Sequence, residues 1–443
     1  MTPFAAMVPC PHLDVRAVPP IELPGFGWSP DINVTIAAMA DALQAAMLLF
    51  SPQGQADPYP IYATIRETAP VLKTPFGLWM VTRHDLIDRA LRSPEFRTPR
   101  GYKDADDPSG PPRFDPTGVL TVHRRNWLLF AQGDQHTRLR KLIMKVFTPR
   151  AVRALAPRIE ALVAELLAPA LERGSMEVIN ELAYPLPATV ICELIGIPAG
   201  ERDRNRIWGE VVATTIDPLC TNAQIAVAET AMREWDAYLR EFMIERRRAP
   251  GDALIDALLA VEEDGSRLTD DEIAANMTFL FLAGHATTTG LIGNGLYALL
   301  RNPAQLAKLH AEPSLVENAI EELLRFDSPV QFAPRVAISR TEIDGITIEP
   351  EIPVNLVLGS ANRDPARYDR PDELDVMRPD PKPLSFGGGP HFCVGAALAR
   401  FEAKAAFEQL VTRTRALALV NQPQFRPGLA LRSLVELAIT IQR

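Results

Sequence analysis

The stretch Phe386-Gly387-Gly388-Gly389-Pro390-His391-Phe392-Cys393-Val394-Gly395 decides the fold of this chain. It places one cysteine in a loop with four glycines and a proline, and an apolar helical pattern begins directly after the loop. Glycine permits tight turns and a close approach of the backbone to a flat partner. A thiolate surrounded by backbone N–H groups and a helix N-terminus is stabilised in its charged form and can bind a soft metal ion. The loop therefore makes Cys393 a candidate metal ligand.

Taken alone, a single cysteine is more often a small buried apolar side chain than a ligand. The neighbours reverse that interpretation, because the string Phe-Gly-x-Gly-x-His-x-Cys-x-Gly fixes six residues and arises by chance about once in 10⁷ positions. The string resembles the haem-binding loop of the cytochrome P-450 family at every signature position. The resemblance implies that Cys393 is the proximal thiolate ligand of haem iron. It also implies that Phe386, His391 and Gly395 belong to the cofactor-binding loop.

The composition is typical of a large globular chain and not of a nucleic-acid-binding protein. The chain has 443 residues, 47% of them hydrophobic, and a net charge of −9, which argues against nucleic acid as a partner. Its four cysteines are scattered and no signal peptide is recognisable, so we expect a cytoplasmic protein. A zinc site at Cys393 is the weaker alternative, because no second Cys or His lies at zinc-ligand spacing around it.

The chain divides into an irregular N-terminal extension and one mixed domain. Residues 1–56 begin with a proline-rich stretch and contain one helix pattern at 32–50, in which a central Asp41 disfavours a membrane span. Residues 57–443 are expected to form a single domain, mostly α-helical with a smaller β-rich region. The resemblance implies the cytochrome P-450 fold. In that fold the haem lies between a long central helix, here 269–301, and the cysteine loop with its helix.

The spacing of apolar residues predicts the remaining elements. Helices are expected at 58–68, 84–93, 134–146, 152–173, 187–197, 199–216, 222–248, 252–263 and 303–325, and from the cysteine loop to about 414. Strands are expected at 78–82, within 336–358 and at 434–442. A long loop is expected at 98–121.

A charged pair forms the second signature. Glu322 and Arg325 are three residues apart, which places them on one face of a helix. Such pairs are common, and an exposed one contributes only a few tenths of a kcal/mol. Their position before the cysteine resembles the Glu-x-x-Arg motif of the family, a buried structural lock near the proximal face of the haem. Asn362-Arg363-Asp364-Pro365 and Arg378-Pro379 resemble the segment that completes this lock.

Haem carries two propionate carboxylates, so its pocket should supply Arg and His donors. His136 and Arg140, four residues apart on one helix face, resemble the His-x-x-x-Arg segment of the family. Arg335 and His391 match its other two propionate anchors. The neighbouring basic residues predict either a docking face for an acidic electron-donor protein, as in the family, or an ordinary solvated face. They are Arg138, Lys141, Lys145 and Arg150.

Ala283-Gly284-His285-Ala286-Thr287-Thr288-Thr289 interrupts the long apolar helix with poor helix formers. Gly284 is expected to leave room above a flat ligand, and a Thr hydroxyl can bend the helix by bonding back to a carbonyl. The stretch resembles the family's oxygen-binding segment, which makes Thr287, Thr288 and Gly284 the catalytic candidates. The family's acid is replaced by Ala286, which puts the usual proton route in doubt. His285 is expected to be a packing or groove residue.

The resemblance also places the substrate contacts, which are mostly apolar and predict a small or medium-sized hydrophobic substrate. Gln331 is the one candidate that could orient a polar group. The contacts are expected from the 98–121 loop, the 208–225 region, Ala283, Val330, Gln331, Phe332, Leu434 and Val435.

The resemblance implies a monomeric haem b monooxygenase. Electrons would come from NAD(P)H through a reductase and an iron–sulfur ferredoxin, because the chain has no G-x-G-x-x-G fingerprint of its own. Two alternatives stay open. Ala286 also suits a nitric oxide reductase-like or peroxide-driven enzyme. The second alternative is a haem-thiolate protein that binds or senses a ligand without catalytic turnover.

Overall fold

The computed structural model describes residues 30–74, 77–99, 114–263 and 265–443. The proline-rich stretch at 1–29 and most of the expected 98–121 loop lie outside the described residues.

Helices form most of the described structure. In chain order they are α1 (Pro30–Leu48), α2 (Pro52–Ala56), α3 (Tyr59–Thr68), α4 (His84–Arg92), α5 (Val119–Asn126), α6 (Gly133–Val146), α7 (Pro149–Ala154), α8 (Ala156–Arg173), α9 (Pro185–Ile195), α10 (Arg202–Ala213), α11 (Asn222–Arg248), α12 (Leu254–Ala260), α13 (Asp270–Arg301), α14 (Pro303–Ala311), α15 (Val316–Phe326), α16 (Leu358–Ala361) and α17 (Ala396–Arg413). Shorter helical turns lie at Ile179–Ala183, Ala199–Glu201, Thr214–Ile216, Pro313–Leu315 and Gly389–His391.

The strands form a smaller, separate region, as expected. They are β1 (Val71–Lys73), β2 (Trp79–Val81), β3 (Phe96–Arg97), β4 (Ser175–Glu177), β5 (Glu262–Glu263), β6 (Ser266–Arg267), β7 (Phe332–Ala337), β8 (Thr341–Ile343), β9 (Ile346–Ile348), β10 (Pro353–Val357), β11 (Ala416–Leu419) and β12 (Ala438–Gln442). The largest sheet has the order β1-β2-β10-β7-β3, and a second has the order β11-β12-β4. In the large sheet β7 pairs antiparallel with β10, with Arg335 opposite Val354.

Several predicted helices are interrupted where proline removes a backbone donor. The helix expected at 152–173 is two helices, α7 and α8, and Pro157 lies in the first turn of α8. The helix expected at 303–325 is likewise two helices, with a short turn that begins at Pro313 between them. The predictions were wrong here because apolar spacing continues across both breaks; proline accompanies each break but does not decide it alone, since Pro169 lies inside α8.

The long central helix α13 organises the main core. Thr269 caps it in a capping box with Glu272, so two N–H groups at its start are satisfied. Most of its side chains are buried, and it packs against α5, α9, α10, α15 and α17. This confirms the predicted helix through the middle of the molecule. None of the described helices is both long enough and apolar enough to cross a bilayer.

The helix α1 packs against α3 through small side chains. Ala42, Ala45 and Ala46 are buried with Leu49 in a cluster that also contains Tyr62. The packed N-terminal helix expected from the sequence is therefore present.

Candidate active site

The cysteine loop has a backbone that requires glycine at two positions. Gly387 and Gly389 have φ values of 70° and 63°, in the left-handed region that disfavours other residues. A Cβ at Gly389 would lie 2.5 Å from the carbonyl oxygen of Leu91, so only glycine fits. The N–H of Cys393 donates to the carbonyl of Phe386 at 3.0 Å and closes the loop directly before α17. The glycines thus fix where the thiol lies.

Cys393 is exposed in the described structure, yet enough protein surrounds its thiol that burial raises the pKa of the thiol. Backbone N–H groups of Gly395 and Ala396 and the charges of Arg400 and Arg140 act in the opposite direction, since they favour the thiolate. An exposed cysteine whose thiolate is favoured by these groups can ligate a metal ion.

The four expected propionate anchors converge beside the thiol. The rings of His136 and His391 lie 4.1 Å apart, and an Arg140 Nη donates to the carbonyl of Phe392 at 2.9 Å. Burial and the charges of His136, Arg335 and Arg140 lower the pKa of His391 to about 3. The structure therefore brings together groups from α6, β7 and the cysteine loop.

Among the residues that the structure describes, no Asp or Glu forms an ion pair with these anchors. Arg335 is buried, its guanidinium donates to the carbonyl of Pro334 within the described structure, and burial lowers its pKa to about 10. The Nε2 atom of His136 is buried without a hydrogen-bond partner. A buried guanidinium and an unsatisfied imidazole nitrogen are costly unless an anion pairs with them. A thiolate donor flanked by arginine and histidine donors that lack carboxylate partners fits a haem with its two propionates.

The charged pair of the second signature is completely buried. Glu322 and Arg325 are both 0% exposed, and the guanidinium donates twice to the carboxylate at 2.7 and 2.8 Å. Arg378 donates to the same carboxylate at 3.0 Å. The remaining donors of Arg325 bind the carbonyls of Asn362, Pro371 and Glu373.

This network is linked to the cysteine loop through Asn362. Its side-chain oxygen accepts from the N–H of Leu384 at 2.7 Å, and its amide donates to Ser385 at 2.9 Å. Ser385 in turn donates to the carbonyl of Leu324. The buried Glu322–Arg325 pair is therefore connected by hydrogen bonds to the segment that precedes Phe386.

The predicted oxygen-binding segment carries three successive bonds from threonine to the helix backbone. Thr287, Thr288 and Thr289 donate to the carbonyls four residues earlier at 2.9, 3.1 and 2.8 Å. Thr287 is partly exposed, whereas Thr288 is buried. Of the two candidate threonines, only Thr287 therefore reaches accessible surface.

Two neighbouring residues face away from the expected ligand. A Cβ at Gly284 would lie 3.2 Å from the side chain of Ile191, so this glycine permits the approach of α9 and does not leave room above a flat ligand. His285 is buried, its Nδ1 lies 2.8 Å from the Phe281 carbonyl, and its ring meets Tyr184 edge-on. His285 is a packing residue in this structure.

The residues expected to contact the substrate are only partly accessible to solvent. Ala283 and Val330 are half-buried and Val435 is exposed. Leu434 is 1% exposed and packs in the main core, so it lines no accessible cleft.

Gln331 and Phe332 contact residues of the N-terminal helices. The Gln331 amide N–H donates to the carbonyl of Ser328 at 2.7 Å and lies near the hydroxyl of Tyr59, whereas its Oε1 is buried without a hydrogen-bond partner. Phe332 packs edge-on against Tyr62 in the N-terminal cluster. Successive residues of a strand face opposite sides, and Arg335 takes the other side of β7.

The 208–225 region covers α13 from one side. Gly209 of α10 lies close to Phe281 and His285. Asp217, between α10 and α11, accepts the N–H groups of Leu429 at 2.6 Å and Ala430 at 2.9 Å. These two hydrogen bonds connect the α10–α11 loop to the segment that follows Phe425.

The sequence analysis missed one buried acid, Glu402 on α17. It is 2% exposed, and burial raises the pKa of its carboxyl to about 8. Its position could have been read from the sequence, because Leu398, Glu402, Ala406 and Leu410 follow one another at intervals of four on the buried stripe of the helix. An acid on such a stripe is rarely buried without a reason.

Comparisons with known proteins agree with this geometry. A family model described as Cytochrome P450 matches residues 215–427. The chain is 38% identical to the cytochrome P450 monooxygenase PikC of Streptomyces venezuelae over 83% of this chain and 86% of that protein. It is 36% identical to the vitamin D(3) 25-hydroxylase of Pseudonocardia autotrophica over 89% of this chain and 96% of that protein.

Solved structures show the same arrangement of elements. The crystal structure of P450BioI in complex with acyl carrier protein carrying hexadec-9Z-enoic acid superposes with a TM-score of 0.82. It is 34% identical, and the match covers 88% of this chain and all of that one. A structure of CYP109E1 from Bacillus megaterium in complex with testosterone gives a TM-score of 0.75 at 29% identity, over 87% of this chain and 99% of that one.

Proposed function

The chain belongs to the cytochrome P450 family and is a P450 monooxygenase, and we propose that it inserts one oxygen atom from O2 into a small or medium-sized hydrophobic molecule. The observation that carries the proposal is the convergence of the Cys393 thiol with four basic groups that lack acid partners in the described structure. We further propose that the haem is haem b and that residues 57–443 form one catalytic domain behind an N-terminal extension.

In this proposal each residue of the cleft has a separate task. Cys393 would hold the iron, and His136, Arg140, Arg335 and His391 would bind the propionates. Phe386 and Gly395 shape the loop around the thiol. When bound, the haem would supply oxygen activation, which a thiolate ligand promotes by donating electron density to the iron.

The substrate would lie against α13 at Ala283 and Thr287, with Val330 and Val435 on the opposite side. Ala283, Thr287 and Val330 are half-buried and Val435 is exposed, as expected for residues that contact a bound molecule. The curated relatives named above act on chemically different molecules, so the fold is compatible with several hydrophobic substrate classes.

The electron source in this proposal is a separate ferredoxin with an NAD(P)H-dependent reductase. The basic face expected to receive it is smaller than predicted, because Arg138 pairs with Glu272 at the start of α13. Arg150 is exposed and remains a candidate contact. Dependence on NAD(P)H suits a cytoplasmic protein, and we propose that it acts there as a monomer.

Ala286 supports a second candidate function. Without an acid at this position the natural reaction could use nitric oxide with NADH, or peroxide, in place of O2 with a protein electron donor. The third possibility, a haem-thiolate sensor, predicts ligand binding without turnover.

One experiment separates these functions. The purified holoprotein is screened with terpenes, steroids and aromatic compounds for a low-to-high-spin shift, and each hit is then incubated with a surrogate ferredoxin, its reductase and NADPH. We expect substrate-dependent NADPH consumption and an oxygenated product. Oxidation of NADH by nitric oxide without a partner protein would establish the second function, and spin shifts without any consumption would establish the sensor.

The role of Arg335 gives a test of the haem cleft. In Arg335→Leu we expect haem to transfer to apomyoglobin about 10- to 100-fold faster, because a charge-assisted hydrogen bond contributes about 1.5–3 kcal/mol. The matched control is Arg340→Leu, since Arg340 is 72% exposed and pairs only with Glu349 in the described structure. Equal transfer rates for the two variants would remove Arg335 from the propionate site.

A further inference from the structure

One buried hydroxyl group without a hydrogen-bond partner lies beside the predicted propionate anchors. It belongs to Thr98, which is 2% exposed, and its Oγ1 atom meets no donor or acceptor among the described residues. We propose that this hydroxyl binds a haem propionate next to Arg335. The inference rests on the haem of the proposed function and adds a cofactor-binding residue to the four anchors described above.

The register of the large sheet sets Thr98 opposite Arg335. Strand β3 pairs antiparallel with β7, with Arg97 opposite Val336. The next position in this register, directly after β3, is therefore Thr98 opposite Arg335. Directly opposed residues of an antiparallel pair project to the same face of the sheet. The hydroxyl and the guanidinium thus leave the sheet side by side on one face.

That face of the sheet is turned toward the cysteine loop. Val354 lies opposite Arg335 in β10 and packs in a cluster that contains Leu91 of α4. Leu91 contacts the cysteine loop, because a Cβ at Gly389 would lie 2.5 Å from its carbonyl oxygen. The cysteine loop and the Thr98 side chain are therefore on the same side of the sheet.

The preceding residue confirms which face Thr98 occupies. Side chains alternate along an extended backbone, so Arg97 and Thr98 project to opposite faces. Arg97 forms an ion pair with Glu351, whose side chain is 65% exposed. The face opposite Thr98 is therefore the solvated one, and Thr98 projects to the buried one.

A second contact joins Thr98 to the helix that carries two of the anchors. The side-chain amide of Gln132 donates to the carbonyl of Thr98 at 2.5 Å. Gln132 is the N-cap residue of α6, one turn before His136. The Nε2 atom of His136 is also buried without a hydrogen-bond partner in the described structure. Thr98 is thus held next to both elements that supply unsatisfied donors, β7 and the start of α6.

The chemistry of these groups identifies their missing partner. A guanidinium and a hydroxyl both donate hydrogen bonds, and a carboxylate offers about four acceptor positions. A water molecule would satisfy the Thr98 hydroxyl but would leave the charge of Arg335 unpaired. A carboxylate satisfies both, and a charge-assisted hydrogen bond is about twice as strong as a neutral one. A propionate therefore fits the site better than water does.

The first test measures how firmly the haem is held in the substrate-free holoprotein. Thr98→Val nearly keeps the shape of the side chain and removes the hydroxyl. We expect haem to transfer from this variant to apomyoglobin about tenfold faster than from the parent, because a hydrogen bond to a charged group is lost. Thr98→Ser keeps the hydroxyl and loses only the methyl group, so it should transfer haem at the parent rate.

Two results of this test would overturn the proposal. One is an equal transfer rate in Thr98→Val and the parent. The other is faster transfer from Thr98→Ser than from Thr98→Val, which would assign the effect to packing of the methyl group. If Thr98→Val does not accumulate with haem, Thr98→Ala lacks the same hydroxyl and is compared with Thr98→Ser in its place.

The second test observes the propionates themselves. The propionate bending mode in the resonance Raman spectrum of the holoprotein depends on the hydrogen bonds that the propionates accept. We expect this mode to move to lower frequency in Thr98→Val and to stay at the parent position in Thr98→Ser. Thr440→Val is the matched control, because Thr440 is an exposed threonine of β12, and it should give the parent spectrum. An unchanged mode in Thr98→Val would exclude a hydrogen bond from Thr98 to a propionate.

A double variant tests whether Thr98 and Arg335 bind the same propionate. When Thr98→Val is combined with Arg335→Leu, we expect the acceleration of haem transfer to be smaller than the product of the two single effects, since groups that share a partner are coupled. A full product would separate Thr98 from the propionate of Arg335. A parent protein that holds no haem would reject the proposed function, whereas a haem-loaded parent matched by Thr98→Val in both tests would reject only this inference.

Discussion

Replacing Arg325 by alanine is expected to lower the free energy of unfolding by about 3–5 kcal/mol and to prevent stable haem incorporation. Both Arg325 and Glu322 are completely buried, so the variant leaves a carboxylate without its main partner. It also removes the donors that hold three backbone carbonyls, among them that of Asn362. Because Asn362 fixes Leu384 and Ser385, the loss should reach the cysteine loop.

The measurement is denaturant unfolding together with the haem content of the purified protein. Arg370→Ala is the control, because Arg370 is 61% exposed and pairs with Glu373 on the surface, where an ion pair contributes at most about 1 kcal/mol. If Arg325→Ala does not accumulate, Arg325→Lys keeps the charge without the planar fork and should show the same defect in a milder form. Normal stability and haem content in Arg325→Ala would refute the claim that the Glu322–Arg325 pair stabilises the cysteine loop.

The second large effect is expected at Cys393. Cys393→Ser should fold, because serine is nearly the same size and its N–H can still donate to the carbonyl of Phe386. A serine hydroxyl does not ionise in this range, so the soft thiolate donor is lost. We expect monooxygenase activity to fall to background and the spectrum of thiolate-ligated haem to disappear.

The control for this variant is another cysteine. Cys220 is buried, and its sulfur lies 3.7 Å from the carbonyl of Thr221, a contact that a serine hydroxyl can replace. Cys220→Ser should therefore retain the spectrum and activity of the parent. A Cys393→Ser protein that also retained them would show that another residue binds the iron.

The features that could be predicted from the sequence depend on spacing within one element or on a motif that fixes many residues in a short stretch. The four-residue interval between His136 and Arg140 and the three-residue interval between Glu322 and Arg325 require only a helix. The structure places both pairs as that spacing implies. Helix α13 was predictable because its apolar side chains continue over the whole length of the element.

The features that could not be predicted depend on which neighbour an element meets. Phe332 and Arg335 both lie in β7, and only the position of β7 in the sheet decides which neighbours each face of the strand meets. Gly284 serves the approach of α9, a partner distant in sequence.

The central claim is that the sulfur of Cys393 binds haem iron. It is tested most directly by reducing the purified holoprotein, adding carbon monoxide and recording the absorption difference spectrum. We predict the long-wavelength band that thiolate-ligated haem gives with carbon monoxide, in the parent and in Cys220→Ser but not in Cys393→Ser. A band at the shorter wavelength of histidine-ligated haem in the freshly purified parent protein would contradict the account.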